Sequence, residues 1–392
     1  MDQPSISYRP AIGTVRPQKP AAQNSKYTSF QKGDKKMDFA KNKKTLLLTG
    51  GILGLVAVIL AAAGNPGNMA FCIACFIRDS VGAVKMHSAA VVQYFRPEIA
   101  GMLVGALLIS VATKEYRSTA GSSPMTRFIL GFVMMIGALV FLGCPLRMLI
   151  RMAAGDLNAY VGLVGFVAGI GTGILALKKG FSLGRSHETS GASGAVLPIA
   201  WTLLFVLSLA VPTLFAWSES GPGSMHAPMI LSLAAGLVFG ILAQRVRMCT
   251  IGGFRDAIMM KNFDLLAIIG GFFLVMLIGN IALGKFSVGF TGQPIAHAQH
   301  LWNFLGLYAV GFAGVLAGGC PLRQIILAGQ GSSDAAVTFL GLVVGAAFAH
   351  NFGLASAAAS AEAAGGPSMT GKVALILCIA VTFVIGFTPR KK

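Results

Sequence analysis

Ten apolar stretches, each of roughly 17–22 residues and so long enough to cross a hydrocarbon layer of about 30 Å, constrain this chain more than any other feature. They run approximately over 45–63, 98–113, 126–143, 158–177, 196–217, 227–244, 264–284, 302–319, 335–352 and 371–388. In lipid a spanning segment must pair its own backbone N–H and C=O groups, which leaves helices or closed barrels. Stretches of this length predict helices, hence an all-α polytopic membrane protein with about ten transmembrane helices. Only 11% of residues are charged, less than half the roughly 25% of soluble domains. A large soluble protein of this composition would expose too much apolar surface.

The net charge of +18 is unevenly placed, with ten Lys or Arg in residues 1–44. That segment has no apolar periodicity and reads as a disordered basic tail beside anionic lipid, rather than as a nucleic-acid-binding arm. With the tail inside, Lys114, Arg117, Lys178, Lys179, Arg185, Arg245, Arg247 and the C-terminal Arg390–Lys392 all fall on the cytoplasmic side. Connections 218–226 and 353–369, with no Lys or Arg, fall outside. Both termini are therefore expected in the cytoplasm. Arg78, Lys85, Arg96, Arg147, Arg151 and Lys285 break the pattern. All but Lys285 flank cysteine motifs and read as parts of a site.

Two motifs occur twice. Cys72-Ile-Ala-Cys-Phe-Ile-Arg78-Asp79 and Cys249-Thr-Ile-Gly-Gly-Phe-Arg255-Asp256 share the pattern C-x-x-x-x-x-R-D, 177 residues apart. Gly143-Cys144-Pro145-Leu146-Arg147 recurs verbatim as Gly319-Cys320-Pro321-Leu322-Arg323, offset by 176. Residues 45–217 and 227–388 are thus read as two repeats of five spans. An odd number of spans turns the second copy upside down, the inverted arrangement of many transporters. Cys72 and Cys144 would then approach from the outer face, Cys249 and Cys320 from the inner.

Proline after Cys144 and Cys320 ends a helix, and a short apolar segment follows. This predicts re-entrant hairpins carrying the cysteines, with Arg147 and Arg323 opening short helices whose free N–H groups favour an anion. The Arg78–Asp79 and Arg255–Asp256 pairs fit either structural braces at helix ends or anion ligands balanced by a carboxylate; the sequence leaves both open. A solitary Cys is ordinarily a small buried hydrophobe, the reading adopted for Cys378 and for Cys75, whose repeat counterpart is Gly252. Cys72, Cys144, Cys249 and Cys320 occupy equivalent places in both repeats, and thiols can donate weak hydrogen bonds to a soft anion. These four are the expected substrate path. The six histidines show no repeat and no metal spacing, and His297 and His300 read as solvated loop residues. No metal site, cofactor or nucleotide-binding motif is expected.

The run Arg245-Val-Arg-Met-Cys249-Thr-Ile-Gly-Gly-Phe-Arg255-Asp256 resembles the R-x-x-x-C…(A/G)-F-R-D element of the YeeE/YedE family of membrane proteins. Gly311-Phe-Ala-Gly-Val-Leu-Ala-Gly-Gly-Cys320 is similar to that family's Gly-rich run ending in Gly-Gly-Cys. The resemblance spans about 45–388 and implies a prokaryotic inner-membrane transporter, not an enzyme, for thiosulfate or a related inorganic sulfur species. The length and the Cys-Pro-Leu-Arg form lean towards the selenium-associated YedE branch. It further implies an hourglass-shaped protein in which Cys72, Cys144 and Cys320 pass the ion along, and a small cytosolic sulfur-carrier partner of the TusA/SirA type. Pro-Leu-Arg after both loop cysteines and the added Cys75 depart from the family pattern. The competing readings are a membrane thiol or sulfur-transfer oxidoreductase, which needs cysteines of opposite faces within disulfide range, and a membrane scaffold.

Overall fold

The computed structural model describes residues 42–360 and 363–388. One helix pattern occurs twice along them. The first run is α1 (Lys43–Ala62), α2 (Ile73–Ala83), α3 (Pro97–Ala112), α4 (Pro124–Phe141), α5 (Pro145–Ala153), α6 (Leu157–Lys178) and α7 (Gly191–Ala210). The second is α8 (Met229–Arg245), α9 (Thr250–Met260), α10 (Asp264–Ala282), α11 (His300–Ala317), α12 (Pro321–Gly329), α13 (Ser333–Asn351) and α14 (Met369–Phe387). In each run the second helix has 11 residues and the fifth has 9; the others are long. The one sheet among the described residues is a two-residue ribbon, β1 (Thr119–Ala120) antiparallel to β2 (His187–Glu188). Ten stretches are long and apolar enough to cross a membrane. The chain is a multi-pass helical membrane protein.

Local chemistry sets the helix starts. Asp156, Ser332 and Ser368 accept N–H bonds as N-caps of α6, α13 and α14. Pro97, Pro124, Pro145 and Pro321 open α3, α4, α5 and α12, where a missing N–H costs nothing. The expected span 196–217 is corrected to Gly191–Ala210, because Pro212 cannot continue a helix and begins a separate 3-10 turn. The first 41 residues of the basic tail and the C-terminal residues 389–392 lie outside the described residues. Lys285, the odd cation of the charge pattern, caps a helix: its Nζ donates to Ala61 O at the end of α1, 2.8 Å away.

Close approaches at glycine show how the helices run past one another. Along α1 and α10, Gly50 meets Ile268, Gly54 meets Phe272 and Val58 meets Gly279, so these helices are parallel. Their repeat counterparts α8 and α3 are parallel too, with Glu98 at Gly236 and Met102 at Gly240. The same holds for α4 with α13 (Phe128 at Gly341, Phe132 at Gly345) and α6 with α11 (Gly165 at Phe304, Gly169 at Tyr308). By contrast α4 and α11, counterparts of each other, are antiparallel: Phe141 meets Gly306, Val310 meets Gly137 and Gly314 meets Met134. Small residues allow this backbone contact, which lipid-solvated helices need because lipid supplies little driving force for their association. Helices α4 and α11 form the centre. The stretches containing them are 89% and 83% buried, against 22% for α14 and 28% for α7 at the periphery.

Candidate functional site

The site grows from the ends of α4 and α11. Leu142 and Gly318 take left-handed φ values of 62° and 85°. The next residues close a wide turn, Gly143 N–H donating to Ala138 O (2.7 Å) and Gly319 N–H to Gly314 O (2.9 Å), as expected when a left-handed residue terminates a helix. Cys144 and Cys320 follow in extended conformation as N-caps of α5 and α12, with proline in the first helical position. Three residues later Arg147 and Arg323 fold back over the glycines. A Cβ at Gly143 would lie 2.6 Å from Arg147 Cδ, and one at Gly319 2.9 Å from Arg323 Cβ. The glycine and the proline of Gly-Cys-Pro-Leu-Arg thus have steric and backbone reasons for their places.

Cys72 and Cys249 are N-caps as well. Their sulfurs accept the N–H of Cys75 at 3.4 Å and of Gly252 at 3.2 Å, opening α2 and α9. The four cysteines meet in two pairs, one in each half. Cys144 interacts electrostatically with Cys72 and lies beside the backbone of Ala74 and Arg147. Cys320 interacts likewise with Cys249 and lies beside Thr250 and the backbone of Arg323. Each pair therefore sits where two helix N-termini converge, a place that favours negative charge. All are enclosed: Cys72 is 0% exposed, Cys144 1%, Cys320 2% and Cys249 6%. The open grooves lie elsewhere, an apolar one between α3 and α7 and a polar one beside Tyr116 and Glu188.

Because α4 and α11 are antiparallel, their C-terminal ends, and with them the two thiol pairs, lie at opposite ends of the central helix pair. About ten residues of helix separate those ends, on the order of 15 Å at 1.5 Å per residue. Between them Met134, Ile251 and Gly314 pack together; a Cβ on Gly314 would overlap Ile251 Cδ1. None of the six cysteines is joined to another by a disulfide.

The arginines divide by environment. Arg147, completely buried, donates to Asn68 O (3.0 Å), Ile295 O (3.1 Å) and Cys75 Sγ (3.4 Å). Cys75, read from the sequence as inert filling, is thus bound to the site arginine and neighbours Cys72. Arg323 is less enclosed and donates to Gln244 Oε1 at 3.4 Å. Arg78 and Asp79 form a buried pair at 2.6 Å, and the other oxygen of Asp79 takes Arg96 at 2.8 Å. Arg96 also donates to Pro222 O and Met225 O, tying the connection before α8 to α2. Both carboxylate oxygens are thus occupied by guanidiniums. Arg255 and Asp256, midway along α9, pair at 2.8 Å but stay 30% and 16% exposed.

The sequence marked Arg96 and Arg151 as parts of a site without showing their partners. Arg96 was visible as a cation in a nominally outer connection just before the Pro97 helix start. Arg151 pairs with Asp156 at 2.7 Å, both completely buried, with its guanidinium 4.3 Å from the Phe141 ring centroid; the N-cap position of Asp156 before an apolar run was the available signal. One expectation is corrected: His297 is not a solvated loop residue but 1% exposed, bonded to Val140 O at 2.8 Å. A gap in α4's own ladder attracts it, since Val140 O lies beyond the last helical donor. His300 is exposed at the start of α11. Among the described residues no group of three or more His, Cys, Asp or Glu is arranged to hold a metal ion.

The second thiol pair lies within a stretch that is similar to a known sequence family. Residues 245–389 match the family model described as Sulphur transport. That stretch runs from the last residue of α8 through α14 and contains Cys249, Arg255, Asp256, Cys320 and Arg323. No curated protein matches the chain. The Sulphur transport match supports a sulfur-related membrane transporter.

Proposed function

We propose that this chain carries a small inorganic sulfur anion, thiosulfate or a close relative, inward across a prokaryotic cytoplasmic membrane along a route marked by Cys72, Cys144, Cys320 and Cys249. The observation that carries this reading is the repeated dithiol at converging helix N-termini, once at each end of the central α4–α11 pair. The thiols offer soft, weak donors, and the helix ends and the neighbouring Arg147 and Arg323 offer positive potential without a fixed ion pair. Weak donors suit a path, since a strong site would hold the ion rather than release it. With 45–217 and 227–388 as inverted halves, one dithiol faces each side of the membrane, and the Met134–Ile251–Gly314 contact between them closes the route in this conformation. A selenium species is the alternative cargo for the same soft donors. A cytosolic sulfur-carrier protein of the TusA/SirA type is the proposed acceptor, at the face of Cys249 and Cys320, with both termini on that side.

The rival reading, a thiol oxidoreductase passing electrons between the two faces, is disfavoured by the spacing: the pairs stand farther apart than a disulfide permits. Uptake of radiolabelled thiosulfate into proteoliposomes is the test. Saturable uptake that falls on Cys144→Ala and on Cys320→Ala supports a thiol route; uptake indifferent to both removes it.

A further inference from the structure

Glu98 stands apart from this machinery. It lies in the first turn of α3 and is completely buried. Oε1 accepts a hydrogen bond from Asn65 Nδ2 at 3.2 Å, while Oε2 has no partner. None of the ion pairs among the described residues includes it. Two buried hydroxyls nearby are equally unpartnered: Tyr94 Oη, close enough to Glu98 to interact electrostatically, and Ser232 Oγ, one turn before the Gly236 that packs on the Glu98 backbone. An ionised carboxylate is costly in such a place without a cation. A carboxylic acid avoids that cost, because it carries no charge.

The surroundings supply a link and an approach. Asn65 Nδ2 also donates to Ala70 O, two residues before Cys72, and Asn65 Oδ1 accepts the N–H of Ala227. One amide therefore joins the carboxyl, the strand of chain that carries Cys72 and the start of α8. Towards solvent, the Tyr94 ring stacks on exposed His226 at 4.0 Å. The other ionisable groups around Glu98 are accounted for. Arg78 and Arg96 are both engaged with Asp79, α7 has none, and Arg323 of α12 interacts with the second thiol pair at the opposite end. Residues 63–71 precede Cys72 where only 246–248 precede Cys249, so the Asn65 clasp belongs to the first half alone.

We propose that Glu98 is the proton-binding site of this transporter and that its occupancy is coupled to passage of the anion, an inference resting on the transport reading above. A proton from water on the His226 side forms the Oε2–H bond. Its departure leaves a carboxylate that competes for the Asn65 amide with Ala70 O and so shifts the segment bearing Cys72. No electrons change hands. Co-moving a proton also lowers the charge carried with the anion.

Two measurements decide it. Infrared difference spectra of the purified protein across a pH titration are expected to show a protonated-carboxyl band at neutral pH that is lost in Glu98→Gln. A band unchanged in the variant overturns the proposal, and this readout is independent of cargo. In proteoliposomes loaded for thiosulfate counterflow, Glu98→Gln is expected to keep counterflow but lose stimulation of net uptake by an inward proton gradient, with Glu98→Asp restoring part of it. Stimulation retained in Glu98→Gln, or absent from the wild type, overturns the coupling. Failure of the wild type to exchange thiosulfate at all would instead overturn the transport reading, with the infrared band still deciding the proton site.

Discussion

Asp79 receives the Arg96 guanidinium at 2.8 Å with both side chains wholly removed from solvent. Asp79 lies in α2 and Arg96 just before α3, and Arg96 carries the contact on to the carbonyls of Pro222 and Met225. Replacing Asp79 by Asn would leave two buried guanidiniums without a counter-charge, a loss of about 3–5 kcal/mol. Asp256→Asn, at a pair that is partly exposed, should cost only about 0.2–1 kcal/mol. Thermal unfolding of the two variants in detergent checks the contrast; equal shifts would refute a bracing role for Asp79.

Helix contact at glycine makes a second expectation. A Cβ on Gly271 would sit 2.0 Å from Leu47 O, whereas Gly270 next to it meets nothing within 4 Å. Gly271→Ala should separate α1 from α10 and destabilise by roughly 1–3 kcal/mol, while Gly270→Ala should be neutral or slightly favourable. Melting curves of both settle the register of this packing.

Pairing of thiols within halves can be read chemically. With Cys378 replaced by Ser, mild oxidation should produce disulfides among Cys72, Cys75 and Cys144 and between Cys249 and Cys320. A protease site placed in the connection 218–226 would then release two fragments that separate on a denaturing gel even after oxidation. Fragments that stay joined would mean a bond across the α4–α11 centre and would favour the oxidoreductase.

His297, in the connection between α10 and α11, donates from Nε2 to Val140 O and accepts the Gln299 N–H at Nδ1. The bond accepted at Nδ1 needs the neutral ring, since both nitrogens of a protonated imidazole are donors. Burial, opposed only in part by the Val140 bond, lowers its pKa to about 4, below the unfolded value of about 6.5. Between those values the unfolded chain binds more protons, so this contribution to stability is full above about pH 6.5 and declines as pH falls towards 4. Melting temperature followed from pH 7.5 to pH 4.5 should fall less steeply in His297→Gln than in the wild type.

The sequence by itself determined that there are ten apolar spans, which motifs recur, and where proline opens several helices. Those depend on local causes: the length of apolar runs, proline without an N–H, and one cysteine-centred motif written twice. It also marked four cysteines and two arginines by their recurrence, without showing that Cys72 turns to Cys144 and Cys249 to Cys320. Tertiary structure decided that pairing, because it depends on which helix ends converge. It decided the roles of the arginines in the same way: Arg78, Arg147 and Arg255 look alike in sequence, yet one shares a buried carboxylate, one spans two connections and a thiol, and one stays at the surface. The groups that separate them, such as Asn68 and Ile295 at Arg147 and Arg96 beside the Arg78–Asp79 pair, are set by long-range packing. Burial with unmatched polarity at Glu98 is likewise invisible until helices from both halves enclose it.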